Sequence, residues 1–529
     1  MANDSEIEMK LTISPGDAVA FRRHSLLRER VTGRPKRRSV YNVYFDTPEL
    51  ALKQRAMALR LRKAGGKWLQ TLKNAGDATG GLHRRGEWEY PLRLAELDLA
   101  LFRETPLAEL ADSKNLHLTL KPVFTTEFQR TTWLVEISPG QRVEVALDQG
   151  VIRCGDSELA ISEVEIELLE GSAAAVFDVA GALASEIALR PAVLSKAERG
   201  YGLLQPAPMA PRRARAVELK RHYPPLQAML AIFTACLDHF DANVEGAIVS
   251  DDPEYIHQLR VALRRLRSAM RIFRPAHAEH VAAELKWLAA ALGTARDWDV
   301  LVTETLPVLL DAFGDPRLAS ELIARARQRQ AASREVTRSA LASTREALLV
   351  LAVGRWVCVT GELSLFPSRS TGDGGATPPP QRQHLPEFAS HEIRRHHRRL
   401  LRVSGALADL PAEARHQVRI EAKRLRYAVD FFSSLFDKKS VSPYLKVLSR
   451  IQDLLGETND NAVAMHLVKN LEAPERFGDF SRGWFTARSH IKLAGIDRHF
   501  ATLKKTRRFW GKKTARKQVD DPSEKILNR

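Results

Sequence analysis

The first two hundred residues are dominated by a period of two. Glu6-Ile7-Glu8-Met9-Lys10, Leu59-Arg60-Leu61-Arg62, Glu87-Trp88-Glu89-Tyr90, Glu144-Val145-Ala146-Leu147-Asp148 and Glu163-Val164-Glu165-Ile166-Glu167 carry charge at every second position or nearly so. Successive side chains of an extended chain point to opposite faces, so each segment predicts a strand with one charged and one apolar face. In Gln70-Thr71-Leu72-Lys73, Thr71 and Lys73 share a face in the same way. Helices interrupt the strands, as at Ser14-Pro15, where a hydroxyl cap precedes a proline with preset φ. After about residue 220 the period changes to 3.6 and long Leu/Ala/Arg segments predict an all-helical region.

The change of period coincides with Gln205-Pro206-Ala207-Pro208-Met209-Ala210-Pro211, which neither a helix nor a central strand tolerates. The chain is therefore read as a multidomain α+β protein. Its expected parts are a mostly β domain at 1–205, a Pro-rich linker at 206–219, a helical domain at 220–503 and a basic tail at 504–529. Within the helical domain, residues 367–386 hold too little apolar content to fold and read as a flexible insertion.

One alternating strand most often belongs to an antiparallel sheet with one wet face. Five or more, carrying acids on some strands and Arg or Lys on others, favour a closed sheet whose charged faces line a lumen and whose apolar faces pack outward against helices. Glutamates at i and i+2 lie roughly 7 Å apart, close enough to share hard divalent cations. Arginine forks and ammonium groups suit phosphate oxygens. The pattern points to metal-dependent chemistry on an anionic substrate.

Charge sharpens this picture. Residues 1–205 hold 28 Lys and Arg against 28 Asp and Glu, so the whole net charge of +17 lies beyond them. A basic surface of that kind attracts polyanions, whether nucleic acid, polyphosphate or an anionic membrane. The three cysteines, Cys154, Cys236 and Cys358, are far apart and lack metal-ligand spacing, which argues against a disulfide framework or zinc site. With no uninterrupted apolar stretch of membrane-spanning length and no secretory pattern, a cytoplasmic protein is expected.

The helical region contains an internal repeat. His257-Gln258-Leu259-Arg260-Val261-Ala262-Leu263-Arg264-Arg265-Leu266-Arg267 aligns with His416-Gln417-Val418-Arg419-Ile420-Glu421-Ala422-Lys423-Arg424-Leu425-Arg426 at an offset of 159 residues. Each copy precedes a Leu-Gly segment, Leu292-Gly293 through Asp297 and Leu455-Gly456 through Asp460. Two duplicated helical-bundle halves are expected. On a helix, His257, Arg260, Arg264, Arg267 and Arg271 fall on one face, as do His416, Arg419, Lys423 and Arg426. A solvated face usually mixes signs, because like charges at i and i+4 repel. The two matched stripes are read as having no acidic partners and as calling for an anion. Arg265, Arg424 and Arg296 are read as helix-pairing or rim residues, and His391, His396 and His397 as exposed basic residues.

The ordered set Glu6-x-Glu8-x-Lys10, Tyr44-Phe45-Asp46-Thr47, Leu59-Arg60-Leu61-Arg62, Thr71-Leu72-Lys73, Arg130, Val145-Ala146-Leu147-Asp148, Glu165-x-Glu167 and Ser195-Lys196-Ala197-Glu198-Arg199-Gly200-Tyr201 resembles the CYTH family of triphosphate tunnel metalloenzymes. The duplicated His/Arg helices resemble the CHAD family. The first resemblance implies an eight-stranded antiparallel tunnel that uses Mg²⁺ or Mn²⁺ to hydrolyse a triphosphate such as inorganic tripolyphosphate. It implies metal ligation by Glu6, Glu8, Asp148, Glu165 and Glu167, with Glu6, Glu8, Lys10, Glu165 and Glu167 catalytic. Phosphate binding falls to Lys10, Arg60, Arg62, Lys73, Arg130 and Lys196. The second implies that inorganic polyphosphate binds at His257, Arg260, Arg264, Arg267, His416, Arg419, Lys423 and Arg426, and association with polyphosphate granules follows as an expectation. The tunnel could instead serve as a class IV adenylate cyclase or as a thiamine or nucleoside triphosphatase. A non-enzymatic polyphosphate or nucleic-acid binding protein is the remaining alternative.

Overall fold

The computed structural model describes residues 5–511 except 75, 109–118, 193, 276–277, 366–383, 404–406 and 408–409. The expected insertion at 367–386 therefore lies largely outside the described residues, although Leu385 and Pro386 already form the first turn of a helix and are buried. Residues 512–529 of the expected tail also lie outside them. The start of that tail is not a loose basic segment, because Lys504 and Lys505 end a helix and Phe509 and Trp510 are buried.

Ten strands form one sheet: β1 (Ser5–Thr12), β2 (Lys36–Asp46), β3 (Ala58–Ala64), β4 (Lys67–Lys73), β5 (Asp77–Thr79), β6 (Leu82–Leu92), β7 (Lys121–Ser138), β8 (Gln141–Cys154), β9 (Ser157–Glu170) and β10 (Arg190–Pro191). Eight of them close on themselves in the order β1-β9-β8-β7-β2-β3-β4-β6, with β6 returning to β1, and every pairing is antiparallel. The short strands β5 and β10 attach to β6 and β1. Local chemistry guides the closure. Gly65 and Gly66, at φ +55° and +82°, supply the two positive-φ positions that a tight hairpin between β3 and β4 demands.

The period of two in the sequence becomes an inside and an outside. Leu59 and Leu72 face out toward Leu52, Phe102 and Leu107. Val143, Val145, Leu147, Val164 and Ile166 face out on another side, where the helix Ala173–Ala184 covers them. Burying a side chain of this kind stabilises by roughly 1.5–3 kcal/mol, which fixes the register that turns the alternate charged positions inward. Next to Arg60 in the register, Tyr44 stacks on Phe124 with ring centroids 4.6 Å apart, and Tyr201 meets Phe124 edge-on at 5.1 Å.

The chain divides into two compact units, residues 1–211 with 340–368 and residues 212–339 with 369–529. The helix Thr344–Leu365, in sequence between the two halves of the repeat, thus belongs to the barrel unit. Ala347 and Leu351 join the core formed with helix Ala173–Ala184, and Arg355 Nε pairs with Asp178 at 2.7 Å. At Gly354 the backbones almost touch: a β-carbon there would lie 3.4 Å from the α-carbon of Gly80 and 2.9 Å from Phe177.

In the second unit one order of three helices occurs twice. Pro225–Val249, Pro253–Phe273 and Glu279–Val300 form the first set, and Leu385–Val403, Ala412–Phe432 and Lys438–Lys469 the second. The two stripe-bearing helices, Pro253–Phe273 and Ala412–Phe432, pack on each other. The Arg265 guanidinium sits 5.1 Å from the Phe431 ring centroid across that contact. His391 is exposed, but His396 and His397 are buried, against the sequence expectation. His397 shares a 2.8 Å hydrogen bond with the Tyr444 hydroxyl and packs against Trp510, and burial pulls it down to about 4. Periodicity alone did not show that the second face of that Arg-rich helix was also covered.

Candidate active site in the barrel lumen

The antiparallel register carries residues distant in sequence to neighbouring positions in the lumen. Lys10 pairs across β1 and β9 with Glu165, Glu8 with Glu167, Arg130 across β7 and β8 with Asp148, and Lys73 across β4 and β6 with Glu87. Ala146, opposite Glu165, keeps its own inward position small. The helix Lys196–Leu204 is held by a capping box between Ser195 and Glu198, and its first residue is delivered to the same charged centre.

The densest group surrounds Glu165. Its Oε1 accepts from Lys10 at 2.8 Å and from Lys196 at 3.0 Å, and its Oε2 accepts from Arg130. Arg130 also grips Asp148 through two parallel bonds of 2.8 and 2.6 Å. Although burial alone would raise the Glu165 carboxyl, Lys10, Lys196 and Arg130 hold it well below the usual range. On the neighbouring wall Lys73 contacts Glu6 at 2.8 Å and Glu87 at 2.9 Å. Burial penalises the charged form of Arg62, and Arg60 and Arg130 add like-charge repulsion, so its guanidinium falls to about 10.

A cavity of about 880 Å³ opens onto this lattice. Of the sequence-predicted residues, Glu6, Lys10, Arg60, Arg62, Lys73, Arg130, Glu165, Glu167 and Lys196 all line it. Glu8 and Asp148 lie just behind the surface, fully buried and ion-paired to lining residues. The sequence reading missed Arg85 and Arg38. Arg85 contacts both Glu6 and Glu8, and Arg38 stands opposite Arg130 in the β2–β7 register. Inward alternation with Glu87 and Glu89 was the signal for Arg85, and it was obscured by the adjacent Arg84, which points outward to Cys358.

Whether these residues fit a divalent cation is answered by charge balance. Asp148, Glu163 and Glu165 bring oxygens within 4.8 Å of one another, but the Lys196 ammonium already sits among them, 2.7 Å from Asp148 Oδ2 and in contact with Glu163. One inward position further along β9 the balance is different. Among the described residues Glu167 has no cation within ion-pair distance. Burial first, then Glu6, Glu8 and Glu144, push its carboxyl up to about 7. Crowded carboxylates in excess of local cations are the donor set that a hard, oxygen-seeking ion satisfies, so the residues fit a hard divalent cation.

The second unit brings part of its two stripes together. Arg260 reaches Asp297 and Arg419 reaches Asp460, each at 3.9 Å, so both halves of the repeat make the same pair. The stripes therefore do have acidic partners, supplied by the Leu-Gly segments and invisible from the stripes alone. Cations still prevail. Burial, then Arg419, Arg264 and Arg260, pull the Lys423 ammonium down to about 7. Burial and Arg296, with Arg264 and Arg260, lower His257. His416 borders a groove of about 560 Å³ that also includes Arg419. Arg426 turns aside to Ser449 at 2.8 Å and Asp430 at 3.5 Å, and burial lowers Arg267. No helix among the described residues is long and apolar enough to cross a membrane.

Residues 4–201 match the CYTH domain family, and residues 231–469 match the CHAD domain family. An inorganic triphosphatase of Haemophilus influenzae is 36% identical over 198 residues, 37% of this chain and 54% of that protein. The match thus spans about half the length of that curated relative. The crystal structure of the CHAD domain from the plant Ricinus communis is 34% identical, covering 56% of this chain and 98% of that one with a TM-score of 0.48. A putative adenylyl cyclase from Hippeastrum with a dominant triphosphatase activity is 17% identical, covering 38% of this chain and 99% of that one with a TM-score of 0.29. The chain carries a CYTH domain at residues 4–201 and a CHAD domain at residues 231–469.

Proposed function

We propose that the barrel hydrolyses inorganic triphosphate to pyrophosphate and phosphate with Mg²⁺ or Mn²⁺, and that the helical unit binds inorganic polyphosphate. The observation that carries the first reading is the single lumen in which Glu165 meets Lys10, Arg130 and Lys196 while Glu167 lacks a counter-ion among the described residues. Such a site needs both cations and a polyanion to reach neutrality. The similarity to an inorganic triphosphatase supports the same substrate class.

In this reading Glu6, Glu8 and Glu167 would hold metal where carboxylates are in excess, Asp148 and Glu165 would join them once Lys196 and Arg130 turn to the substrate, and Lys10, Arg60, Arg62, Lys73, Arg130 and Lys196 would hold the phosphate chain. A divalent cation held there would supply charge neutralisation to the phosphates and acidity to a water molecule. The chain's own residues do the positioning. Arg60 and Arg62 lie on one face of β3 and offer planar forks to phosphate oxygens. Lys10 and Lys196 supply compact charge, and the Phe128 ring packs against the Lys196 and Arg130 head groups, 5.0 and 5.6 Å from its centroid.

Polyphosphate binding rests on Arg260, Arg264, Arg419, Lys423 and His257, which already destabilise one another's charge, with Arg267, His416 and Arg426 extending the surface. A tether of this kind raises the local concentration of polyanion near the barrel or anchors the protein to cytoplasmic polyphosphate granules. The test is a panel of tripolyphosphate, thiamine triphosphate and ATP with Mg²⁺ and Mn²⁺, comparing the intact protein with Glu165→Gln. Phosphate release from tripolyphosphate, abolished in the variant, is expected. Pyrophosphate together with cyclic nucleotide from ATP would replace this reading with a cyclase.

A further inference from the structure

Arg85 occupies an unusual place. The β1–β6 register sets it directly across from Glu6, and its guanidinium spans two carboxylates of the same strand, with Nε 3.4 Å from Glu6 Oε2 and a terminal nitrogen on Glu8 Oε1. Glu8 and Arg85 are shielded from solvent, with side chains 3% and 12% exposed. Lys73 touches both oxygens of Glu6, at 3.1 and 2.8 Å, and Lys10 holds the same Glu8 oxygen as Arg85 at 2.9 Å. Arg85 is thus the cation that spans Glu6 and Glu8. It also borders the cavity, so its guanidinium has open space to turn into.

We propose that Arg85 is a built-in competitor for the divalent-cation site: it neutralises Glu6 and Glu8 in the empty lumen, yields them when the ion arrives, and turns to the phosphate chain. The inference rests on the assignment of Glu6 and Glu8 as metal ligands above. Its physical basis is that Glu6 Oε2 and Glu8 Oε1 already carry Lys73 and Lys10 beside Arg85, so a divalent ion on the same oxygens adds repulsion among the cations, and of the three Arg85 meets it at both carboxylates. A released guanidinium then faces a substrate that accepts planar, bidentate hydrogen bonds. Cation and triphosphate consequently assist each other's binding through one side chain, which is a coupling between two ligands in the thermodynamic sense. Arg85 acts here as a positioning residue and breaks no bond.

The test measures Mn²⁺ binding to the full chain without triphosphate, from the electron paramagnetic resonance signal of free Mn²⁺. Arg85→Gln is expected to bind Mn²⁺ about tenfold more tightly than the wild type while its KM for tripolyphosphate rises, a combination that a merely structural arginine does not produce. Arg85→Lys, which keeps the charge, is expected to stay near the wild type. Equal or weaker Mn²⁺ binding by a folded Arg85→Gln overturns the proposal. If that variant does not fold, the side-chain Nε–H resonance of Arg85, identified by its loss in Arg85→Lys, decides the matter: it must shift when Mg²⁺ saturates the wild type, and a fixed resonance overturns the proposal. Tighter Mn²⁺ binding without any triphosphate hydrolysis by the wild type would remove the proposed reaction but leave the role of Arg85 standing. Hydrolysis with unchanged Mn²⁺ affinity would do the reverse.

Discussion

Lys10 Nζ lies 2.8 Å from Glu165 Oε1, although 155 residues separate them. Both groups are nearly enclosed, at 5% and 12% side-chain exposure, so the pair is held together by the barrel rather than by chance encounter at a surface. Removing one partner of a buried pair costs about 3–5 kcal/mol. Lys10→Met should fall near about 3 kcal/mol, the low end of that range, because Arg130 and Lys196 still contact Glu165. A lower melting temperature, partly restored by millimolar Mg²⁺ or Mn²⁺, is the expected result. An unchanged melt in calorimetry would mean that the pair contributes nothing to folding.

The helix Thr344–Leu365 predicts a second outcome. Gly354 has no room for a side chain, since even a β-carbon would stand 2.9 Å from Phe177. Gly354→Leu should therefore destabilise the barrel unit by about 1–3 kcal/mol, the cost of overpacking a filled core. Cutting the chain after Pro211 should be worse, because it strips Ala347 and Leu351 from the core they share with helix Ala173–Ala184. Dye binding to exposed apolar surface would report this. A fully stable, dye-free fragment 1–211 would show that the helix is dispensable.

Lys423 predicts a pH dependence. Its folded value is pulled from 10.5 to about 7. Between those limits the unfolded chain binds a proton that the folded chain lacks, so the free protein gains stability from this group as pH rises through about 7. A polyanion reverses the bias by stabilising the charged ammonium. Polyphosphate binding should therefore take up protons above about pH 7, with affinity falling as the pH is raised toward 10. Titration calorimetry in two buffers of different ionisation enthalpy measures the uptake. Identical heats in both, with Lys423→Met binding like the wild type, would exclude Lys423 from the site.

The arrangement of the lumen was readable wherever alternation was regular. Glu6, Glu8 and Lys10 share one face of β1, and Glu165 and Glu167 share one face of β9, because a two-residue period survives any regular strand. Arg85 escaped notice because Arg84 beside it masks the alternation. Asp297 and Asp460 escaped as partners because they lie on different helices from the arginines they meet.

The sequence by itself determined which residues of the regularly alternating strands share a face, that two helical segments repeat, and that the excess positive charge lies after residue 205, since these depend only on local periodicity and composition. Only the tertiary structure decided which charges neutralise one another, that Glu167 lacks a counter-ion among the described residues, and that a helix beginning at Thr344 completes the core of a barrel begun at Ser5. Such contacts join residues far apart along the chain, and it is the closure of the sheet and the packing of its outer face that bring them within a few ångströms.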